Sequence, residues 1–269
     1  MPDNNVSFTG SIPEHYDRFL GPVIFTDYAA EMAALVAARS PRRVLETAGG
    51  TGIVTRAMRD RLPAATTLLA TDFNPPMLDV ARGKFRSGEA VEFRQADAIA
   101  LPFPDGSFDA VVSQFGLMFF PDKPASFREA HRAVTQGGHY FFSVWDSHEY
   151  NAFGRLAHEN IARFFPSEPP PFYLVPFGSH AIDPIKAEVL RAGFRRLHIH
   201  VAGRDQVVPN LHDFARGLVY GNPTIDQIRQ RGGVDPERVV DALAKAFERE
   251  FGATKAVMRM QAILFEADR

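Results

Sequence analysis

Short apolar runs alternate with helically spaced apolar residues over the first half of the chain. The runs predict five buried strands, at residues 44–45, 67–71, 91–94, 108–113 and 140–145. Apolar residues spaced three or four apart predict the intervening helices, at residues 31–39, 53–62, 77–85 and 127–134, the last closed by Gly137 and Gly138. Such alternation predicts a parallel sheet with right-handed crossovers and helices on both faces.

The pattern changes after residue 146. A stretch rich in proline and phenylalanine, residues 164–177, is unsuited to a helix interior or a central strand. Two more strands are predicted at residues 197–201 and 257–265, and between them an amphipathic helix begins with Asp235 as its N-cap. The first 30 residues contain Gly21 and Pro22 and are predicted to be irregular.

Together these elements predict a doubly wound α/β fold with a mostly parallel seven-stranded sheet and a partly helical cap. We interpret residues 1–269 as one domain. Its parts are an N-terminal lid, a core, two cap insertions and the two segments that complete the core, at residues 1–30, 31–147, 148–180 with 204–253, and 181–203 with 254–269.

A glycine loop joins the first strand to the next helix. Glu46 ends the strand, and Gly49, Gly50 and Gly52 let the backbone approach a ligand where a Cβ would obstruct it. The free N–H groups of the following helix favour a negative group on that ligand. Asp72 ends the second strand, where a carboxylate can accept hydrogen bonds from both hydroxyls of a ribose. The pair favours nucleotide-type binding over a purely structural turn with a solvated aspartate.

Polar residues also end two further strands. Asp97 follows the third strand and Gln114 ends the fourth. Because ligands of parallel α/β sheets bind beyond the carboxyl ends of the strands, we expect Glu46, Asp72, Asp97 and Gln114 to converge on one rim.

Composition narrows the function classes. The net charge is 30 − 32 = −2 without a long basic run, which argues against a nucleic-acid surface. The absence of cysteine rules out disulfides, thiol catalysis and cysteine-ligated metal, and it fits a cytoplasmic protein. The polar N-terminus does not resemble a signal peptide. We expect no apolar stretch near the ~20 residues of a membrane span.

Phenylalanine is abundant, with 24 residues against 6 tyrosines and one tryptophan. Several fall in predicted loops, where aromatic side chains are costly to leave in water. We expect some to line an apolar cavity, and a subunit contact in a homodimer is the alternative.

The chain resembles the class I S-adenosylmethionine-dependent methyltransferases, in particular small-molecule enzymes of quinone biosynthesis. The likeness is carried by VLETAGGTG at 44–52, TDFNPPML at 71–78, ADAIALPFPDGSFD at 96–109 and FREAHRAVTQGG at 127–138. It implies a Rossmann-like fold, S-adenosylmethionine as cofactor and a small-molecule acceptor. It is poor over the two cap insertions.

The resemblance also implies roles for individual residues. The loop backbone at Glu46, Thr47, Ala48, Gly49, Gly50 and Gly52 holds the methionine end of the cofactor. Asp72 takes the ribose hydroxyls, and Phe73 and Met77 lie beside the adenine. Asp97 and the Ala98 N–H bond to the adenine edge, Gln114 lies near the methionine part, and Tyr16 folds over the cofactor.

One residue departs from the family pattern. Ala48 stands where the first glycine is usual, and we expect its methyl group to require a negative φ or a wider turn.

The acceptor side is less defined. Phe115, Met118, Phe172 and Phe177 are predicted to contact an apolar or aromatic acceptor, with His148 near the rim. No catalytic base is assigned. His198 and His200 share one strand face without a third ligand, so no metal is expected. A cofactor-binding regulatory subunit and an NAD(P)-dependent oxidoreductase remain alternatives.

Overall fold

The structure, a computed structural model, describes residues 6–269 and is built on a seven-stranded sheet. Its strands are β1 (Arg43–Glu46), β2 (Thr67–Asp72), β3 (Val91–Gln95), β4 (Phe108–Gln114), β5 (Val134–Trp145), β6 (Arg196–Val207) and β7 (Val257–Asp268). The strand order is β3-β2-β1-β4-β5-β7-β6. The first five strands pair in parallel, while β7 runs antiparallel to both β5 and β6. The predicted mostly parallel seven-stranded sheet is confirmed.

Helices cover both faces of the sheet. They are α1 (Ile12–His15), α2 (Thr26–Ala38), α3 (Ile53–Arg61), α4 (Pro75–Arg82), α5 (Lys123–Ala133), α6 (Ala152–Ala162), α7 (Ile182–Arg191), α8 (Leu211–Tyr220), α9 (Thr224–Arg231) and α10 (Pro236–Phe251). A π-helix spans Tyr16–Phe25, and short 3-10 helices span Leu117–Phe119 and Phe172–Leu174.

Alternating side chains of the central strands feed two separate cores. In β1, Val44 packs with α2 and α3 on one face, while Leu45 belongs to the core on the other. In β5, Phe141 and Phe142 divide in the same way. Because successive residues of a strand point to opposite faces, continuous apolar runs are what a sheet covered on both sides requires.

The N-terminal segment differs from the prediction. Residues 12–38 are helical without interruption, and Gly21 and Pro22 lie inside the π-helix. The Thr26 N–H donates to the Gly21 carbonyl five residues earlier, and this wider turn accommodates a proline that lacks its own N–H. The sequence reading took the Gly-Pro pair for a break.

This continuous helix also bears on the membrane expectation. Ile12–Ala38 is long and apolar enough to cross a membrane by length and composition, with a mean hydropathy of 1.3 in its most apolar window, so the expectation of no such stretch was wrong. Half of its most apolar window is buried in the protein. Because core helices pass the same test, one such helix is weak evidence for a membrane span.

Two element boundaries also correct the sequence reading. Val134 begins β5 instead of ending the preceding helix, and Gly137 and Gly138 lie within that strand. Val134 has helical spacing from the apolar residues before it and was therefore assigned to the helix, but an apolar residue at this position fits the start of a buried strand equally well. Strand β6 continues to Val207, so residues 204–207 of the predicted cap belong to the sheet.

The cap closes onto the N-terminal helix through Gly217 of α8 and Gly221, which caps the end of α8. A Cβ on Gly217 would lie 2.7 Å from Leu20 Cδ2, and one on Gly221 would lie 2.9 Å from the Tyr16 nitrogen. Their spacing places both on one helix face, which allows close approach of the two helices. Asn210 fixes the start of α8 by accepting from two backbone N–H groups, each at 3.0 Å.

Candidate functional site

A cavity of about 250 Å³ lies at the carboxyl ends of β1 and β4, where the strand order reverses. This switch point is the usual ligand site of open α/β sheets. The cavity brings together most of the predicted site residues: Tyr16, Ala48, Gly50, Asp72, Phe73, Met77, Asp97, Ala98, Gln114, Phe115, Met118, Phe172 and Phe177. Glu46, Thr47, Gly49, Gly52 and His148 do not line it.

Ala48 adopts a left-handed conformation in the glycine loop. Its φ is +53°, so a negative φ, the first of the two expected alternatives, was wrong. Room for its methyl group comes from Gly116, where a Cβ would lie only 2.6 Å from the Ala48 Cβ. The neighbouring Phe115 also has a positive φ, of 54°. Strained backbone at non-glycine residues clusters at functional sites, and here two such residues line one cavity.

The glycines of the loop serve different purposes. Gly50 faces the cavity with a φ of +55°, and its N–H donates to Asp72 Oδ2 over 2.9 Å. A Cβ on Gly52 would lie 2.8 Å from Ala81 Cβ, so this glycine allows α3 and α4 to pack closely. The Gly49 N–H donates to the Thr71 carbonyl over 2.8 Å, which anchors the loop to β2.

Glu46 is buried directly behind the loop. Its carboxyl accepts a hydrogen bond of 2.5 Å from the Thr55 hydroxyl of α3. Burial raises the pKa of Glu46 to about 8, partly offset by that bond, and the Asp72 carboxylate adds to the rise. The next residue, Thr47, donates its N–H to the Val112 carbonyl over 2.8 Å. Both residues hold the loop against the sheet.

Asp72 is buried at the polar end of the cavity. It accepts from the N–H groups of Gly50 and Asn74 at 2.9 and 2.8 Å. Burial raises its pKa, and the backbone N–H groups oppose the rise. Phe73 beside it is 57% exposed, while Met77 is buried, so the two define an apolar slot next to the carboxylate.

Tyr16, from the N-terminal π-helix, lines the same cavity as Asp72. Its ring stacks on Phe25 at 4.8 Å. Burial raises the pKa of Tyr16 far above its usual range, and Asp72 contributes to the rise. The phenol therefore stays neutral and can only donate or accept a hydrogen bond.

The loop between Asp97 and the start of β4 is held by Arg132 and Glu129, which were not predicted from the sequence. Arg132 donates to the Leu101 and Phe103 carbonyls at 2.9 and 2.6 Å. Glu129 accepts from the Leu101 N–H at 2.7 Å and bonds to Arg132 in turn. Their spacing of three on α5 was a visible signal, because such residues share a helix face.

Gln114 points its amide at the cavity. Its Oε1 is buried without a hydrogen-bond partner, and its Nε2 makes only a long contact of 3.5 Å with the Phe25 carbonyl. A buried, unpartnered amide oxygen facing a cavity is suited to a donor group on a ligand.

The other half of the cavity is aromatic. Nine of the 24 phenylalanines line the whole cavity, namely Phe8, Phe25, Phe73, Phe115, Phe119, Phe120, Phe153, Phe172 and Phe177. Trp145 stacks on Phe115 with ring centroids 4.1 Å apart. The predicted cavity of phenylalanines is confirmed. Phe8 and Asn222 were missed as lining residues because only tertiary packing brings these distant segments together, whereas Trp145, also missed, ends β5 and could have been found by the convergence of strand ends.

His148 lies outside the cavity, behind the ring of Phe177 at a centroid distance of 4.6 Å. Its Nε2 makes a 3.0 Å hydrogen bond with the Tyr173 carbonyl. Burial lowers its pKa, an effect that the Tyr173 carbonyl opposes. These contacts give His148 a supporting position in the cap.

In residues 6–269, one further group has the composition of a metal site. His139, Glu266 and Asp268 place ligand atoms within 4.8 Å of one another on the sheet. Glu266 already pairs with Arg39 at 2.5 Å, and His139 lies 3.1 Å from Asp268. The contacts describe an ion-pair network, whereas the sequence reading had considered only His198 and His200.

A glycine loop and a buried carboxylate at the switch point define a nucleotide-binding α/β protein of the Rossmann-like type. The family described as "Methyltransferase domain" matches residues 45–142. A demethylmenaquinone methyltransferase of Thermus thermophilus is 38% identical over 129 residues, covering 48% of this chain and 58% of the relative. The chain thus spans little more than half the length of this relative.

Two further comparisons also find methyltransferases. A ubiquinone/menaquinone biosynthesis C-methyltransferase of Stenotrophomonas maltophilia is 30% identical over 180 residues, which cover 58% of this chain and 67% of the relative. A phosphoethanolamine N-methyltransferase of Haemonchus contortus, solved with S-adenosylhomocysteine, shares the fold with a TM-score of 0.60 at 15% identity, covering 96% of this chain and 57% of that chain. The chain belongs to the class I S-adenosylmethionine-dependent methyltransferases and resembles those of quinone biosynthesis.

Proposed function

We propose that this chain transfers the methyl group of S-adenosylmethionine to a small apolar or aromatic acceptor. The observation that carries the proposal is one continuous cavity with a polar end at Asp72 and an aromatic end at Phe115 and Phe172. Such a cavity suits a nucleoside cofactor and an apolar acceptor held end to end. The relatives' names, which refer to menaquinone and ubiquinone biosynthesis, support an aromatic acceptor ring.

The polar end fits the cofactor residue by residue. The Asp72 carboxylate has lone pairs left to accept from the ribose hydroxyls. Gly50 has no side chain, so a ligand in the cavity can approach its backbone closely. Phe73 and Met77 would enclose the adenine, with Asp97 at its edge. The Ala98 N–H and the unpartnered Gln114 oxygen would bond to the adenine and the methionine end, respectively.

S-adenosylmethionine, when bound, supplies a methyl group activated by a positively charged sulfur. The chain's own contribution is to position the acceptor and to keep water away. Aromatic faces such as those of Phe115 and Trp145 favour a neighbouring cation without hydrating it.

No general base is assigned in the aromatic half. Tyr173 donates its hydroxyl to the Leu218 carbonyl over 2.5 Å and accepts from Asn222 over 3.0 Å. Burial raises the pKa of Tyr173 far above its usual range, so it is unsuited to removing a proton. The proposal is therefore restricted to acceptors that need no proton removed by a side chain of this half.

Calorimetry with S-adenosylhomocysteine tests cofactor binding. Asp72→Asn should weaken binding about 10–100-fold, since hydrogen bonds to a charged group contribute about 1.5–3 kcal/mol each. Asp79→Asn is the matched control, because Asp79 lies on α4, is 70% exposed and does not line the cavity, so its replacement should change binding less than about twofold. Equal affinities of the two variants would contradict the assignment.

A second measurement tests turnover. Formation of S-adenosylhomocysteine should be detected with at least one member of a panel of phenols, quinols, amines and carboxylic acids. Cofactor binding without turnover over the panel would support a regulatory subunit instead, and preferential binding of NAD would support an oxidoreductase.

A further inference from the structure

Gly154 occupies an unusual place in the cap. It is buried in the first turn of α6, although glycine is the least favourable helix residue after proline. A Cβ at this position would lie 2.2 Å from Cε2 and 2.3 Å from Cζ of Phe177. The ring of Phe177 therefore sits in the space that any other side chain would fill.

Three aromatic side chains lie around the ring of Phe177, which also lines the cavity. The ring centroid of Phe177 lies 4.6 Å from that of His148, 5.6 Å from that of Phe153 and 6.4 Å from that of Trp145. A ring displaced by a methyl group on residue 154 would consequently move into the space for the acceptor.

The walls of that space indicate the chemistry of its occupant. Phe115 and Trp145 stack nearly parallel, 8° apart, and Phe119 stacks on Phe172 at 23°. The polar side chains on this side, Tyr173 and Asn222, bond to each other and to the chain's own backbone. Flat aromatic walls without a free charged group favour an uncharged aromatic ring.

We propose that Gly154 is a specificity-determining residue: it seats Phe177 outside the acceptor space and so admits uncharged acceptors with fused aromatic rings. This inference rests on the proposed function, because it concerns the acceptor half of the same cavity. Gly154 itself touches neither the cavity nor the cofactor end, so it acts through Phe177.

The single tryptophan of the chain provides the assay, because Trp145 lines the cavity. Benzoquinone, 1,4-naphthoquinone and 9,10-phenanthrenequinone form a graded series of one, two and three rings. Each quenches tryptophan fluorescence, and the chain has no cysteine with which quinones would react. S-adenosylhomocysteine affinity, measured by calorimetry, reports the cofactor end separately.

Gly154→Ala should weaken binding of the two- and three-ring quinones about tenfold or more, a size typical of shape changes in an apolar pocket, and weaken benzoquinone less. Cofactor affinity should stay unchanged. Gly154→Ala with Phe177→Leu should restore binding of the larger quinones. Gly83→Ala is the control, because the nearest atom to its Cβ would lie at 3.4 Å.

Each outcome decides the question. Unchanged quinone selectivity in Gly154→Ala, or no rescue by Phe177→Leu, would overturn the inference. If Gly154→Ala does not fold, the double variant with Phe177→Leu, which removes the clash, must bind the three-ring quinone as the wild type does, and weaker binding overturns it too. A wild-type chain that does not bind S-adenosylhomocysteine would instead refute the proposed function.

Discussion

Ala48 and Gly116 should behave as a coupled pair. The Ala48 methyl lies in a strained left-handed loop, and a second methyl on Gly116 would approach it to 2.6 Å and the Ser113 hydroxyl to 2.9 Å. Gly116 has a φ of −91°, so alanine is compatible with its backbone, and the obstacles are these contacts, of which the one with Ala48 is the closer. Gly116→Ala should therefore lower the free energy of unfolding by about 1–3 kcal/mol through overpacking.

The second substitution, Ala48→Gly, removes the closer of these contacts. Ala48→Gly relieves a left-handed alanine, worth about 1 kcal/mol, but adds unfolded-state entropy of similar size, so alone it should change stability by less than about 1 kcal/mol. In the double variant the methyl of residue 116 fills the vacated space. The double variant should then be more stable than Gly116→Ala by at least about 1 kcal/mol.

Urea unfolding of the wild type, both single variants and the double variant measures the coupling. The melting temperatures should follow, by about 2–4 °C per kcal/mol for a chain of this size. Gly83→Ala combined with Ala48→Gly provides the matched control and should be additive. If the Ala48 and Gly116 effects also add within about 0.5 kcal/mol, the packing explanation is wrong.

Three further predictions concern residues around the cavity. Glu46→Gln should gain about 2 kcal/mol in unfolding free energy relative to wild type as the pH rises from 6 to 9. The reason is that the pKa of Glu46 is about 8 in the folded state and about 4.5 ordinarily, so the wild type loses stability as the pH rises from 4.5 to 8. Parallel pH profiles of the two proteins would contradict the burial of this carboxyl. Arg132→Ala should weaken S-adenosylhomocysteine binding about tenfold, because the loop that follows Asp97 loses its hydrogen bonds from Arg132. In calorimetry, the affinity for free methionine should change little, and the S-adenosylhomocysteine affinity of Arg132→Lys should be intermediate. Gly221→Ala should destabilise the chain by about 1–3 kcal/mol in urea titrations, because its methyl would meet the Tyr16 backbone, and equal midpoints would refute that close approach.

Periodicity predicted the sheet well because its central strands, β1, β2, β4 and β5, are largely buried on both faces and therefore contain unbroken apolar runs. It predicted the polar end of the cavity because Asp72, Asp97 and Gln114 each follow or end such a run, and strand ends of a parallel sheet converge. These features are local in sequence, and one rule of topology brings them together.

The remaining features depend on contacts between distant segments. The left-handed Ala48 is tolerated only because Gly116, sixty-eight residues later, has no side chain. The π-helix holds Pro22 in a register that no periodic pattern signals. Phe8 lies before the N-terminal helix and meets the cavity only through tertiary packing, so no local signal marks it. Trp145 ends β5, so the convergence of strand ends could have indicated it.

The position of β7 has a consequence for synthesis on the ribosome. Strand β6 pairs only with β7, which separates it from β5. Until residues through Asp268 have left the exit tunnel, the twelve residues of β6 have no partner and β5 presents an open edge. The nascent chain therefore carries two unprotected edges that invite wrong pairing with other chains, and β7 covers both when it joins the sheet.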